Sequence, residues 1–242
     1  AILTILNHQC LIATKASRVV YAAQGDGIME FGLRRAQGPD AGLYGARAAV
    51  IGGCVGTSNV LAGEMFDVPV MGTHAHSWIM TFKDEYTAFK EYARLYPDAC
   101  TLLVDTYDTL KSGVPNAIRV FTEMREAGIK PKSYGIRLDS GDLAYLSKKA
   151  RKMLDDAGFQ DAVIAASNDL DEFLIHDLKM QGAAISSWGV GTNLITSKDC
   201  PSFGGVYKLA AIQNAEGEFQ PKIKISENIE KLEKLRDGII EK

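Results

Sequence analysis

The feature that most constrains this chain is a rhythm. Short apolar runs at residues 68–71, 102–104, 134–138, 162–165 and 184–188 alternate with amphipathic stretches at 78–95, 117–127, 143–157 and 170–180. Strand starts recur at about 20 to 35 residues, the spacing at which a helix crosses between two parallel strands. The repeating units share no obvious sequence, so the repeat is one of architecture. The expected class is α/β: a (β/α) barrel-like domain over residues 1–203, an incomplete TIM-type barrel, followed by a short β-rich extension.

The flanks of this rhythm read differently. Ile2, Ile5, Leu6, Cys10 and Ile12 recur at helical spacing, and Gly25-Asp26-Gly27 ends that first helix. A short strand at 28–32, a loop at 34–40 and a helix ending at Gly52-Gly53 follow, and Thr57-Ser58-Asn59 caps a further helix. Beyond residue 203, segments 204–209 and 219–225 alternate like antiparallel strands around Asn214-Ala215-Glu216-Gly217. Residues 227–242 are highly charged and read as an exposed helix or as a frayed end where a longer protein would continue. Residues 204–242 are therefore expected to form a hairpin and tail of a domain that continues past this chain.

Composition excludes several classes. The 242 residues carry a formal net charge of −3, which argues against a broad nucleic-acid surface but leaves room for a local basic pocket. Cys10, Cys54, Cys100 and Cys200 lie far apart without a CxxC pair, so a disulfide framework or structural zinc site is not expected, and a reducing cytoplasm is the default. No apolar run is long enough to span a bilayer. The opening residues lack both a signal peptide's basic region and an initiator Met, so the chain reads as part of a larger protein.

The ends of the strands carry the chemistry. In chain order they present Glu30, His74 and His76, Asp105, Asp139, Asn168-Asp169, and Gly189 with Gly191. One polar residue there is an ordinary helix cap; polar or glycine residues at all six positions point to a site on the C-terminal face of a barrel. Gly189-Val190-Gly191-Thr192 offers close backbone approach and a hydroxyl to a phosphate. Arg137 and Asp139 alternate along one strand, so both side chains point the same way, a cation for an anion and a carboxylate for hydroxyls. Asp142 and Asp108 are expected to cap the helices that follow them. Phe31, Arg34 and Arg35 add a flat ring and two cations. Asp105 is placed to orient the imidazole of His76. His8 and His176 read as structural. The His74-Ala75-His76 pair alone could supply a base, a metal ligand or a nucleophile.

Several long segments resemble the nicotinate phosphoribosyltransferase family: 31–40 (FGLRRAQGPD), 58–63 (SNVLAG), 72–77 (GTHAHS), 136–143 (IRLDSGDL), 189–192 (GVGT) and 205–209 (GVYKL). The resemblance implies that nicotinate and phosphoribosyl pyrophosphate give nicotinate mononucleotide and pyrophosphate. ATP hydrolysis is coupled through a phosphohistidine, and Mg²⁺ rides on the phosphates without direct ligation by the protein. It implies catalytic roles for His76, the phosphorylated residue, and Asp105. Phe31, Arg34, Thr73 and Arg137 would hold nicotinate, and Asp139, Ser140, Gly141, Asn168, Gly189, Gly191 and Thr192 would hold phosphoribosyl pyrophosphate. It further implies a cytoplasmic homodimer with a shared active site in NAD salvage, with no nucleic acid and no membrane. The family's chains are longer; an N-terminal part that lends an aromatic residue to the partner's site is absent here, so this chain is expected to be a central fragment. Three other readings remain open. One is a nicotinamide or quinolinate phosphoribosyltransferase, one a zinc-dependent barrel hydrolase using His74 and His76, and one a remnant without activity.

Overall fold

A computed structural model of the chain describes residues 2–222. Contacts divide the chain into two units, one of Thr4–Phe203 and one of Ala1–Leu3 with Gly204–Lys242. The larger unit holds six strands: β1 (Gly27–Glu30), β2 (Gly56–Thr57), β3 (Ala99–Leu103), β4 (Ser133–Leu138), β5 (Val163–Ala166) and β6 (Ser187–Val190). They form one sheet in the order β2-β1-β6-β5-β4-β3, and every pairing is parallel. The last strand lies beside the first, with Gly27 opposite Ser187. The sheet is thus a curled half-barrel, as the spacing of apolar runs leads one to expect.

The run at 68–71 does not become a full strand. Val70 makes an isolated parallel bridge to Thr57, held by N–H···O bonds of 2.9 Å from Thr57 to Pro69 and from Met71 to Thr57. Pro69 has no N–H to extend the ladder. Beyond it the chain passes through residues 71–75 towards β3, the opposite edge of the sheet.

The helices of this unit are α1 (Ile2–Ala22), α2 (Pro39–Ile51), α3 (Val60–Phe66), α4 (His76–Met80), α5 (Glu85–Leu95), α6 (Val114–Glu126), α7 (Leu143–Asp156), α8 (Glu172–Met180) and the short α9 (Thr192–Ile195). Their starts are written in the sequence. Asn59 Oδ1 accepts from the Ala62 N–H, Asp142 from Tyr145 and Asp171 from both Phe173 and Leu174, each supplying an acceptor to otherwise orphaned donors. Asp108 caps a π-helical turn, Thr109–Gly113, that leads into α6. The single helix expected at 78–95 is two, because Asp84 accepts from Thr87 N–H and starts α5 afresh. The strand expected at 184–188 lies three residues later, so Gly189 is inside β6 rather than beyond it.

Strand and helix faces meet in one core. Ile28, Leu102, Ile136, Leu138, Ile164 and Trp188 from the sheet pack with Phe89, Leu154 and Leu170 from helices and loops, all essentially inaccessible. Each such side chain contributes roughly 1.5–3 kcal/mol by leaving water. Trp188 satisfies its one donor by giving it to Asp26 Oδ2 at 3.0 Å.

In the second unit, β7 (Ala211–Gln213) pairs antiparallel with β8 (Phe219–Pro221). Asn214 Oδ1 accepts from the N–H groups of Glu216 and Glu218, and Gly217 takes φ +87°, fixing the turn. The turn sets the register, so the paired strand is the one that abuts it. Residues 204–209, expected as that strand, form no regular element. The charged helix expected at 227–242 lies outside the described residues.

Candidate active site

Each strand delivers its next residues to the same end of the sheet, where a cavity of about 510 Å³ opens. That volume suits a small molecule rather than a polymer. Phe31 follows β1, Ser58 follows β2, Asp139 follows β4, Ser167 and Asn168 follow β5, and Gly191 and Thr192 follow β6; all line the cavity. Thr73, His74 and His76 reach it from the segment after Val70.

Arg137 is the hub. Its Nε donates to Ser167 Oγ at 2.9 Å, Nη1 to Thr73 Oγ1 at 2.6 Å and more weakly to the His74 carbonyl at 3.5 Å, and Nη2 to Asp139 Oδ1 at 3.0 Å. Of five N–H groups, one on Nη2 is left for a ligand. Ser167 Oγ also donates to Asp139 Oδ1. Burial raises the Asp139 carboxyl, but the Ser167 hydrogen bond and the Arg137 charge outweigh it and hold the group below its ordinary range. Its Oδ2 faces His76 Nε2 at 3.6 Å.

His76 opens α4 and is partly exposed to the cavity. Its Nδ1 lies 3.0 Å from Thr106 Oγ1. Asp105, read from sequence as the orienting carboxylate, comes no nearer than 3.9 Å to Nε2. Its Oδ2 instead accepts from the Asp139 N–H and the Ser140 hydroxyl, both at 2.7 Å, while Oδ1 is buried without a partner. The contact that orients the ring is therefore Thr106. Asp105 braces the turn after β4 and points an unused oxygen towards the imidazole.

Phe31 and Gly189 form a tight pair. A Cβ on Gly189 would fall 2.5 Å from the Phe31 ring, so only glycine lets the ring lie there. The Arg137 guanidinium sits 5.7 Å from the ring centroid. Arg34 and Arg35, on a 3-10 turn (Leu33–Arg35), line the cavity, are exposed and make no ion pair among the described residues. Beneath them Glu30 is fully buried, accepting from Gly32 N–H and from Thr57 Oγ1 at 2.6 Å, which ties the loops after β1 and β2 together. Burial raises its carboxyl despite those bonds.

The chelating histidine pair is not built. His74 is buried; Leu103 N–H donates to its Nε2 at 3.1 Å, and Nδ1 faces the Ala75 carbonyl at 3.4 Å. Both nitrogens are engaged by backbone, which removes His74 as a zinc ligand beside His76. Ser140 and Gly141 stand outside the cavity wall, at the turn leading to α7. Asn168 lines it with φ +94° and Asp169 follows at +46°, two successive residues in a region that side chains disfavour. The sequence does not mark Thr106 or Ser167 as site residues, and it marks Ser58 only within a helix cap and the 58–63 segment. Ser167 and Thr106 each adjoin a residue that it does mark, and that adjacency was the available signal.

The fold and the site together define a (β/α) barrel-like protein with a small-molecule-sized cavity, lined by Arg34, Arg35 and Arg137, on the C-terminal face of its sheet. The model of the nicotinate phosphoribosyltransferase (NAPRTase) family matches residues 27–237, and the chain belongs to that family. It is 58% identical over 232 residues to nicotinate phosphoribosyltransferase of Bacillus subtilis, covering 96% of this chain and 46% of the relative. To the human enzyme of that name it is 32% identical over 284 residues, covering 95% and 52%. The crystal structure of human nicotinic acid phosphoribosyltransferase superposes with TM-score 0.76 at 31% identity, over 90% of this chain and 51% of that one. A nicotinate-nucleotide pyrophosphorylase structure from Pyrococcus furiosus gives TM-score 0.65 at 27% identity, over 78% and 48%. The chain thus spans about half the length of the relatives it matches.

Proposed function

We propose that this chain carries the barrel site of a nicotinate phosphoribosyltransferase that works in NAD salvage. The observation that carries the proposal is the pairing of a flat aromatic face, Phe31 seated on Gly189, with unpaired Arg34 and Arg35 and the Arg137–Asp139 web in one cavity. A planar ring bearing a carboxylate suits the first group, and a phosphorylated sugar suits the second.

In this reading the pyridine nitrogen of nicotinate attacks the anomeric carbon of phosphoribosyl pyrophosphate. The new C–N bond forms as the C–O bond to pyrophosphate breaks, and the ring takes on the positive charge. Phe31 holds the ring's face, while Arg34, Thr73 and the free Arg137 N–H meet its carboxylate. Asp139 Oδ2 accepts from ribose hydroxyls. Asn168, Gly189, Gly191 and Thr192 cradle phosphate, with Ser140 and Gly141 at the rim. Charge developing at the anomeric carbon is met by nearby carboxylates, the largest lever such a site has.

ATP enters through His76. A ring nitrogen takes the γ-phosphoryl group, forming N–P and breaking P–O to ADP, with the ring's charge balanced by Asp105 and Asp139. Mg²⁺ belongs here with the phosphates. Its ligands would be phosphate oxygens and water, with no direct protein ligand, and its chemistry would be to neutralise phosphate charge. The same reading assigns residues 1–203 to the barrel and 204–242 to a following domain, and makes the working enzyme a cytoplasmic homodimer with a shared site. None of the described helices is long and apolar enough to cross a membrane.

The test is incubation of the protein with ATP, followed by mapping of acid-labile phosphate and assay of nicotinate mononucleotide. Phosphate on His76 that His76→Ala abolishes, with loss of the ATP benefit larger than loss of basal transfer, is expected. Phosphate on another histidine, or turnover of nicotinamide or quinolinate in preference to nicotinate, would overturn it.

A further inference from the structure

One buried histidine beside the cavity has no part in the chemistry above. His74 stands where the sheet is interrupted. On one side of the gap the last ladder contact is the bridge from Val70 to Thr57; on the other, β3 is an edge strand. Leu103, near the end of β3, is fully buried, so its N–H has neither water nor a neighbouring strand to pair with. An unmet buried N–H costs about 1–3 kcal/mol.

We propose that His74 is a positioning residue: its imidazole stands in for the missing strand at this seam and holds the Thr73–His76 segment in register with β3. Leu103 N–H donates to Nε2 at 3.1 Å, so Nε2 must be unprotonated. The remaining hydrogen then sits on Nδ1, facing the Ala75 carbonyl. The ring is clamped from α5, edge-on to Tyr92 with centroids 4.6 Å apart and tilted to Phe89 at 6.1 Å. The main chain of the same residue is pinned as well, since its carbonyl accepts from Arg137 Nη1 and from Thr73 Oγ1 at 3.3 Å. One residue therefore couples the edge of β3 to both of its functional neighbours, Thr73 and His76.

The device needs a neutral ring, because a proton on Nε2 would face the Leu103 N–H head on. Burial pushes the ring down to about 4 against the Ala75 carbonyl contact, which raises it, and the Arg137 charge pushes the same way as burial. The other titratable groups beside it are Tyr92 on α5, raised to about 12 by burial and so neutral, and Tyr96 just after that helix.

The activity arm of the test rests on the proposed transferase function; the others do not. His74→Gln places an amide oxygen near Nε2 and keeps an acceptor for Leu103, whereas His74→Leu keeps bulk and removes the acceptor. In the full-length protein, Gln is expected to preserve slow amide exchange at Leu103 and to leave kcat/KM within a few-fold. Leu is expected to speed Leu103 exchange and lower kcat/KM by at least about ten-fold, the scale of one unmade buried hydrogen bond. The imidazole ¹⁵N spectrum of the unaltered protein is expected to show the Nδ1–H form. A protonated Nε2, or a Leu variant that merely melts lower while matching Gln in exchange and kinetics, would overturn the proposal. If the unaltered protein makes no nicotinate mononucleotide, the functional reading falls, and the exchange and ¹⁵N results still decide the role of His74.

Discussion

At the scale of single residues, the site depends on side chains that are already spoken for. Arg137 spends most of its donors on Thr73, Ser167, Asp139 and the His74 carbonyl, so its planar fork is structural before it is ligand-binding. Arg137→Lys keeps the charge but cannot span those partners, and is expected to lower kcat/KM by about 10- to 100-fold, roughly 1.4–3 kcal/mol of transition-state stabilisation. Steady-state kinetics on the purified variant read this directly. Gly189→Ala is a sharper probe, since the added methyl meets only the Phe31 ring at close range. It should raise KM for the pyridine substrate several-fold and KM for the phosphoribosyl donor, whose phosphate Gly189 also borders, by a smaller factor, as a two-substrate titration would show. Equal changes in both would mean that the ring does not stack on substrate.

At the scale of elements, the boundaries follow the caps. Asn59 is buried, accepts from Ala62 N–H and donates to the Gly42 carbonyl at 3.2 Å, so it both starts α3 and fastens it to α2. Asn59→Ala should cost roughly 2 kcal/mol, the sum of a lost cap and a lost buried hydrogen bond to α2, read as a lower denaturation midpoint with unchanged slope. Local chemistry of this kind is legible in sequence: the caps Asn59, Asp108 and Asp142 and the polar ends of the strands can all be named from neighbours a few residues away. What could not be named depends on residues far apart. The ring of His74 is held by an N–H twenty-nine positions later, and the brace on Asp139 and Arg137 is a serine just past the next strand, Ser167. The run at 68–71 looks like any other strand, and Pro69, which has no N–H to give a ladder, together with the lack of a second partner beside it reduces it to a bridge.

At the scale of the whole molecule, buried ionisable groups couple the fold to acidity. His74 has a folded pKa near 4 against an ordinary value of 6.5, so the unfolded chain binds the proton first as pH falls. Its contribution to stability is complete above pH 6.5, is lost as the pH falls from 6.5 towards 4, and changes no further below that; the loss is on the order of 3 kcal/mol. Replacing it by Gln should flatten the stability profile in that window, measured by chemical denaturation at a series of pH values. Asp139, held below its ordinary range, acts at lower pH: its contribution is present above the ordinary carboxylate value and is lost as pH falls through the depressed one.

The pairing of β1 with β6 has a consequence for the order in which the protein is made. Residues 27–30 leave the ribosome about 160 residues before 187–190 and wait for them before that edge of the sheet is covered. Until then the first strand is an open template, the condition under which nascent chains mispair or recruit chaperones. Phe31 and Gly189, which meet across that pairing, cannot touch before it forms. The pocket therefore cannot exist until residues 187–190 have emerged, and a nascent chain stopped before residue 187 would carry helices α1 to α8 but no ring-binding slot.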